Sequence, residues 1–388
     1  MAIPNSFRAY VVDRKDERFE RGLRTLTPAD LPEGDVEVRV SWSSVNYKDG
    51  LAATADGKVA RAYPLVPGID LAGTVVRSSH AAFVKGAEVI AHGYDLGVSR
   101  HGGYAEYARV PSQWTVSLPR GLTARNAMAI GTAGFTAAMA VADLEARGLE
   151  PANGPVLVTG ATGGVGSTAI AILAELGYEV WAVTGKLEEH AWLQTLGAVG
   201  FLTREEVAAE GKPMEPERLA GAVDSVGAAT LPYILRTLRR GGAVAACGNA
   251  SGPALTTTVF PFILRGTALL GMDSAYLAIE APPPLGARCD GSSATLAGRA
   301  CVRGHPRHPR ARARRDPRRR SPRPLDRPRR RLTSPDQSSS PRSWASARSK
   351  GPTAASAEYG MTASAASRSS SPRCRRVAAD ATARNSAS

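Results

Sequence analysis

The chain has 388 residues, enough for two domains, and 43% of it is apolar, enough to fill their cores. Its net charge of +14 is unevenly placed: residues 282–388 hold 23 Arg and one Lys against five Asp and one Glu, a net +18, and residues 1–281 carry −4. A basic balance argues for nucleic acid or an anionic membrane as partner, so here that argument is excluded for the mildly acidic main body and applies only to the last 107 residues.

The opening MAIPNSFRAYVVDRKDERFE lacks a basic stretch followed by an apolar run, and no stretch of the sequence reads as long enough to span a bilayer. Neither secretion nor a membrane partner is expected. Up to about residue 128 the pattern is one of short β-runs broken by Gly and Pro: FRAYVV, VEVRVSWSSVN, GTVVRS, AEVIAHG and GGYAEYARV. These suit an irregular antiparallel barrel. From Gly131 strand and helix alternate, with apolar strand candidates VLVTG (156–160), EVWAVTG (179–185), VGFL (199–202), AVDSV (222–226), AVAACG (243–248) and ALLGMD (268–273). Six strands separated by helical lengths predict an α/β domain with a doubly wound parallel sheet of the Rossmann type. The domain boundaries are set at 1–128, 129–281 and 282–388.

VLVTGATGGVGSTAIAILAELG (156–177) places Gly160, Gly163, Gly164 and Gly166 between a β-run and an Ala/Ile-rich helix. Glycines let the backbone turn tightly and approach a pyrophosphate, whose charge then faces a helix N-terminus. A bare glycine pattern is weak, and the alternative is a plain tight turn between strand and helix; the alternating sheet behind it favours the dinucleotide site. An NAD site usually ends the second strand with an acid for the ribose 2′-hydroxyl. Here that strand ends in Thr184, Gly185 and Lys186, a hydroxyl and a cation that suit a 2′-phosphate and hence NADPH, although Glu188 and Glu189 follow and Lys186 reads equally as a solvated surface lysine.

A catalytic zinc needs Cys or His ligands. The barrel segment has no cysteine, and its His80, His92 and His101 lack ligand spacing, so no metal is expected. Hydride delivery to an activated carbon–carbon double bond then becomes the natural reaction, the substrate's carbonyl taking up the developing charge. Cys247 precedes the tail, and Cys289, Cys301 and Cys374 lie within it at spacings that fit neither disulfides nor a zinc knuckle. A reducing cytoplasm is the expected compartment.

The strings SSVNYKDGLA (43–52), PLVPGIDLAGTV (64–75), GGYAEYARV (102–110), AIGTAGFTAAM (129–139), VTGATGGVGS (158–167), AACG (245–248), FPFILRG (260–266) and LLGMDS (269–274) resemble the acrylyl-CoA reductase branch, often labelled quinone oxidoreductase, of the zinc-free medium-chain dehydrogenases/reductases. The resemblance runs from about Phe7 to Glu280. Where zinc-dependent relatives read like PGHE, this chain has Ile69 and Asp70.

The resemblance implies a GroES-like barrel ahead of the Rossmann domain. It implies NADPH contacts at Tyr47, at the turn Thr162, Gly163, Gly164 and Val165, at Thr184 to Lys186, and at Arg204, Asn249, Ile263 and Ser274. Arg204 would be a second cation for the 2′-phosphate, and Asn249 departs from the apolar residue the family pattern leads one to expect after AACG. Tyr47 is placed nearest the chemistry, either as a phenolic donor or as a tyrosine that only packs on the cofactor. Asn46 and Asp49 would hold its loop, Asp49 alternatively as a helix cap. Phe260 to Arg265 would line the cleft, with Arg265 facing an anionic thioester or else simply exposed. The implied reaction is NADPH-dependent reduction of a 2-enoyl-CoA, acrylyl-CoA to propanoyl-CoA. The alternatives are a quinone or enone reductase, or an inactive homologue whose tail binds nucleic acid non-specifically. A small-molecule acyl-CoA or enone is the expected partner, with a homodimer if the reading frame is intact and no specific nucleic acid.

After Ala281 the grammar of the domains stops. The next 107 residues have six Leu or Val and no Ile or Phe, too little apolar surface to offset the entropy of ordering, so a disordered basic tail is expected. It reads as a nucleic-acid arm, an inert extension, or a shifted frame. PPPLGARCDGS (282–292) has codons that, read one base later, yield an Arg-rich string with Trp-Glu-Arg resembling what the family carries after its MDS motif.

Overall fold

A computed structural model describes residues 2–16 and 18–276. The disorder and frame change expected after residue 281 lie outside the described residues.

The first domain comprises β1 (Phe7–Lys15), β2 (Arg18–Leu26), β3 (Val36–Trp42), the short helix α1 (Tyr47–Ala52), β4 (Asp70–Ser78), β5 (Glu88–His92), β6 (Tyr107–Val110) and β7 (Thr115–Ser117). Its strands pair antiparallel: β1 and β2 form a hairpin, and a five-stranded sheet runs β6-β3-β4-β5-β7. Tyr10 N donates to Tyr104 O and Val12 N to Leu65 O, both at 2.8 Å, which fastens the hairpin to the rest of the barrel. Val36, Val38, Leu71, Val75, Val89 and Val110 alternate inward from four strands and form its core, each burial worth about 1.5–3 kcal/mol. The run VEVRVSWSSVN leaves the sheet after Trp42, because the side chains that follow bond to Asp70 instead of to a neighbouring strand.

The kinked helix α2 (Ala124–Ala146) joins the domains. Thr123 caps it, its Oγ1 accepting from Asn126 N at 3.2 Å. Gly131 (φ 53°, ψ −166°) breaks it, a backbone state open to glycine at little cost. By length and composition α2 is long enough to cross a bilayer, which corrects the expectation that no stretch reaches that length. Half of its most apolar stretch is buried, and Ala137, Val141 and Leu144 pack into the core of the second domain.

That domain continues with β8 (Val156–Val158), α3 (Gly164–Glu175), β9 (Val180–Val183), α4 (His190–Thr195), β10 (Ala198–Leu202), α5 (Arg204–Ala208), β11 (Leu219–Asp224), α6 (Thr230–Thr237), β12 (Leu238–Ala246), α7 (Phe260–Arg265) and β13 (Ala268–Gly271). Its six strands are parallel in the order β10-β9-β8-β11-β12-β13. The order reverses between β8 and β11, and in such sheets ligands bind in the crevice beyond the strands' C-terminal ends at that switch point. Val156 and Val158 face the core under α2 and α3, and Leu157 faces the opposite core under α6, as period-two alternation requires. FPFILR, read as a cleft-lining or strand-entry segment, is instead the short helix α7.

Candidate active site

The glycine turn lies at the switch point. Gly160 (φ 57°) follows β8, and a Cβ there would stand 2.3 Å from Ser225 Oγ. A Cβ on Gly166 would stand 2.4 Å from Gly160 O, so α3 packs directly on the turn, and one on Gly164 would stand 2.9 Å from Ala133 Cβ of α2. These close approaches leave a backbone cradle at the N-terminus of a twelve-residue helix, the donor set a pyrophosphate requires. Thr162 and Val165 border it, half-buried.

Sequence patterning did not reveal what holds the crevice together. Asp224, fully buried at the end of β11, accepts from Thr159 Oγ1 at 2.6 Å and from Gly227 N at 2.9 Å, and so ties β8 to β11 at their C-terminal ends. Burial raises its pKa.

A second buried carboxylate joins the two domains. Asp70, fully buried at the start of β4, accepts from five donors. Ser44 N reaches Oδ1 at 2.9 Å; Ser44 Oγ, Asn46 Nδ2 (3.1 Å), Thr132 N (3.1 Å) and Thr132 Oγ1 (3.0 Å) all reach Oδ2. The last two come from α2 just past its kink. A Cβ on Gly131 would stand 2.7 Å from Ser44 Oγ, so only glycine lets the helix approach this loop.

Asp49 supports the same loop from α1. Its Oδ2 accepts from Asn46 N at 2.8 Å and Oδ1 from Gly68 N at 3.0 Å and Ile69 N at 2.9 Å. Burial raises the pKa of Asp49 against the opposing pull of these hydrogen bonds. Tyr104 donates to Asp49 Oδ2 at 3.2 Å; burial foremost, and then the Asp49 charge, raise its phenol pKa and keep it protonated as a donor.

Tyr47, the first residue of α1, is 66% exposed and open to a ligand. Asn46 does not share that exposure: its amide is committed to Ser44, Asp49 and Asp70, so it positions the loop and is not a candidate to touch substrate. A hydrogen-bonded path continues across α2, where Thr136 Oγ1 donates to Thr132 O and lies 2.7 Å from Ser274 Oγ. The path thus links Ser274, through α2, to the loop that precedes Tyr47, and the glycine turn meets the same helix at Ala133.

At the end of β9, Thr184 is buried and its Oγ1 accepts from Lys186 N at 3.1 Å. Gly185 packs beneath Arg204, whose Nε would be 3.1 Å from a Cβ there. Lys186 and Arg204 are exposed, and among the described residues neither joins an ion pair, with Glu188 and Glu189 or any other acid. Asn249 is exposed beside Gly227, on the loop that follows β12.

Two expected residues are not gathered. Arg265 donates to Arg236 O and Leu238 O at 3.0 Å and to Glu215 O, with Glu217 3.5 Å away. Those groups lie at the N-terminal ends of β11 and β12, opposite the crevice, so Arg265 is a structural clamp and the substrate role is corrected. Ile263, on the same short helix, is 68% exposed, and nothing ties it to the crevice cluster. The histidines are dispersed: His80 Nδ1 accepts from Ala82 N, His101 Nδ1 from Val66 N, and His92 packs on Phe135 with its Nδ1 buried and unpartnered. Among the described residues no three His, Cys, Asp or Glu side chains gather as a metal site.

Residues 32–120 match the alcohol dehydrogenase GroES-like domain and residues 164–280 the zinc-binding dehydrogenase domain. Acrylyl-CoA reductase AcuI of Ruegeria pomeroyi is 51% identical over 271 residues, 69% of this chain and 82% of that protein. The chain belongs to the medium-chain dehydrogenase/reductase family. Another member, the putative quinone oxidoreductase YhfP of Bacillus subtilis, is 47% identical over 276 residues, 71% of this chain and 83% of that protein. The yhdH oxidoreductase from Salmonella enterica, solved in complex with NADP, matches with a TM-score of 0.70 and 48% identity, covering 75% of this chain and 87% of its own. Bacillus subtilis yhfP with NAD bound matches with a TM-score of 0.70 and 43% identity, covering 77% and 88%.

Proposed function

We propose that this medium-chain dehydrogenase/reductase reduces the carbon–carbon double bond of a 2-enoyl-CoA, acrylyl-CoA to propanoyl-CoA, with NADPH. The observation that carries the reading is the 51% identity to an acrylyl-CoA reductase across both domains. NADPH, when bound, supplies hydride to the β-carbon. The glycine turn and the N-terminus of α3 would hold its pyrophosphate, and Lys186 and Arg204 its 2′-phosphate. One relative was solved in complex with NADP and another with NAD bound. Two free cations and no acid at the end of β9 favour the phosphorylated cofactor here.

The chain's own contribution is placement and charge stabilisation. With Asp70, Asp49 and Asn46 fixing the loop, the exposed Tyr47 would donate to the thioester oxygen as negative charge develops on it. The α-carbon then takes a proton to complete the product. The residues of the crevice act without drawing on Arg265.

The test is direct: purified protein is given NADPH with acrylyl-CoA, a quinone or a CoA-free enone, and absorbance at the nicotinamide band is followed. Turnover with acrylyl-CoA and conversion to propanoyl-CoA supports the proposal. Reduction of the quinone alone would replace it with the quinone reductase reading.

A further inference from the structure

The loop from the end of β3 to the start of α1 sorts its side chains by direction. Ser43 Oγ donates to Asp70 O at 2.7 Å, and Ser44 and Asn46 bond to the Asp70 carboxylate, so these three turn inward. The residues flanking and between them are exposed: Trp42 is 47%, Val45 86% and Tyr47 66% exposed. Three large apolar side chains in solvent on one short loop form a surface that nothing in the fold of the described residues uses.

Cations bracket this strip. The Arg125 guanidinium, in the first turn of α2, lies 5.8 Å from the centroid of the Trp42 ring, and exposed Lys48 follows Tyr47. Among the described residues neither cation joins an ion pair. Beyond Trp42 a groove of about 380 Å³ opens towards Tyr10 and the exposed Leu23 of the β1–β2 hairpin. An aromatic shelf with a free guanidinium over it, running on to the tyrosine at the crevice, matches a ligand with a planar base and phosphates at one end and a flexible apolar arm leading to the reacting atoms.

We infer that the Trp42–Arg125 shelf seats the phosphorylated adenosine of the coenzyme A part of the substrate, its pantetheine arm running along Val45 to Tyr47. This rests on the enoyl-CoA reading above. Four residues lie between Trp42 and Tyr47, five steps of chain that span at most about 18 Å at about 3.3–3.6 Å per residue, comparable with an extended pantetheine arm. The base stacks on Trp42, Arg125 and Lys48 meet the phosphates, and the dinucleotide crevice is left free for NADPH.

The experiment uses the full chain saturated with NADPH, so that the dinucleotide crevice cannot take up the probe, and titrates coenzyme A and adenosine 3′,5′-bisphosphate by calorimetry. Trp42→Ala and Arg125→Gln are expected each to weaken both probes about tenfold, the size of one lost base–aromatic stack. The NADPH affinity and the rate with a CoA-free enone should stay unchanged. A KM for acrylyl-CoA raised by a similar factor at constant kcat would agree. Either probe binding both variants as tightly as the wild type would overturn the shelf while leaving the enoyl-CoA reading intact. A wild-type chain that binds NADPH but not coenzyme A would overturn both.

Discussion

Thr136 Oγ1 lies 2.7 Å from Ser274 Oγ, linking the interdomain helix α2 to the chain just beyond the last strand, β13. Thr136 also donates to Thr132 O, and Thr132 donates twice to Asp70. The path therefore runs from Ser274 through α2 to the loop that carries Tyr47. Removing its middle member by Thr136→Val keeps the shape and deletes the hydroxyl. The expected result is a loss of about 0.5–1.5 kcal/mol in stability for each neutral hydrogen bond, with weaker NADPH binding. Chemical denaturation and NADPH fluorescence titration measure the two effects.

Asp70→Asn is a harsher change of the same size. Oδ2 accepts four of the five donors, and an amide in its place presents a nitrogen to some of them. At least one buried donor then faces another donor, at a cost of about 1–3 kcal/mol for each group left unsatisfied. A thermal midpoint lowered by several degrees and kcat reduced more than the NADPH affinity are expected, because the variant frees the Tyr47 loop and spares the glycine cradle. An unchanged midpoint would show that the five hydrogen bonds contribute nothing.

What the sequence made legible was local or periodic. The alternation of apolar strands and helices and the glycines after β8 were readable because turn and helix start lie within a few residues of each other. Asp70 was noted only as the residue standing where metal-binding relatives differ, since its donors are 24 to 62 residues away and Ser, Asn and Thr carry no periodic signal. β2 escaped notice because Arg18, Glu20, Arg21 and Arg24 interrupt any apolar alternation on a strand that is mostly exposed. Arg265 looked available in its motif, but the carbonyls that hold it lie 27 to 50 residues earlier.

Lys186 and Arg204 are the residues expected to set the cofactor preference. Arg204 lies over Gly185 with Lys186 next in the chain, and no acid among the described residues neutralises either. Replacing each by Ala should lower affinity for NADPH about tenfold or more, the loss of one charged hydrogen bond. NADH, lacking the 2′-phosphate, should bind the variants as it binds the wild type. The ratio of the two dissociation constants, measured by calorimetry for each variant, is the readout, and an unaltered ratio would refute the assignment.

Acid stability follows from Glu37. The Arg77 guanidinium foremost, and Arg109 as well, hold its carboxyl below the ordinary glutamate value of 4.5. Because the folded pKa is depressed, the stabilisation is fully present above pH 4.5 and is lost as pH falls through the folded value. Arg77 is 70% exposed, so solvent screening weakens that pair; Arg109, 19% exposed, contributes more. Glu37→Gln should therefore melt below the wild type at pH 7, and the gap should narrow below pH 4.5. A gap that stays constant from pH 7 to pH 3 would rule out the charged form as its source.

The tail gives the last prediction. Net charge steps from −4 to +18 at one boundary, Ile and Phe vanish beyond it, and the zinc-binding dehydrogenase match ends at residue 280. The Ruegeria relative has 18% of its length outside the match, as the 82% coverage implies. A binding arm added by selection has no reason to begin where the family likeness stops, whereas a one-base slip does. DNA sequencing across codons 270–300 is expected to show that a single-base change restores a family-like Arg-rich string with Trp-Glu-Arg. The protein-level counterpart is deletion of residues 282–388, expected to leave NADPH affinity and the cofactor ratio where the full chain has them, since every group argued to hold the dinucleotide lies before residue 277. Loss of NADPH binding on that deletion would make the basic segment part of the enzyme and end the frame-shift reading.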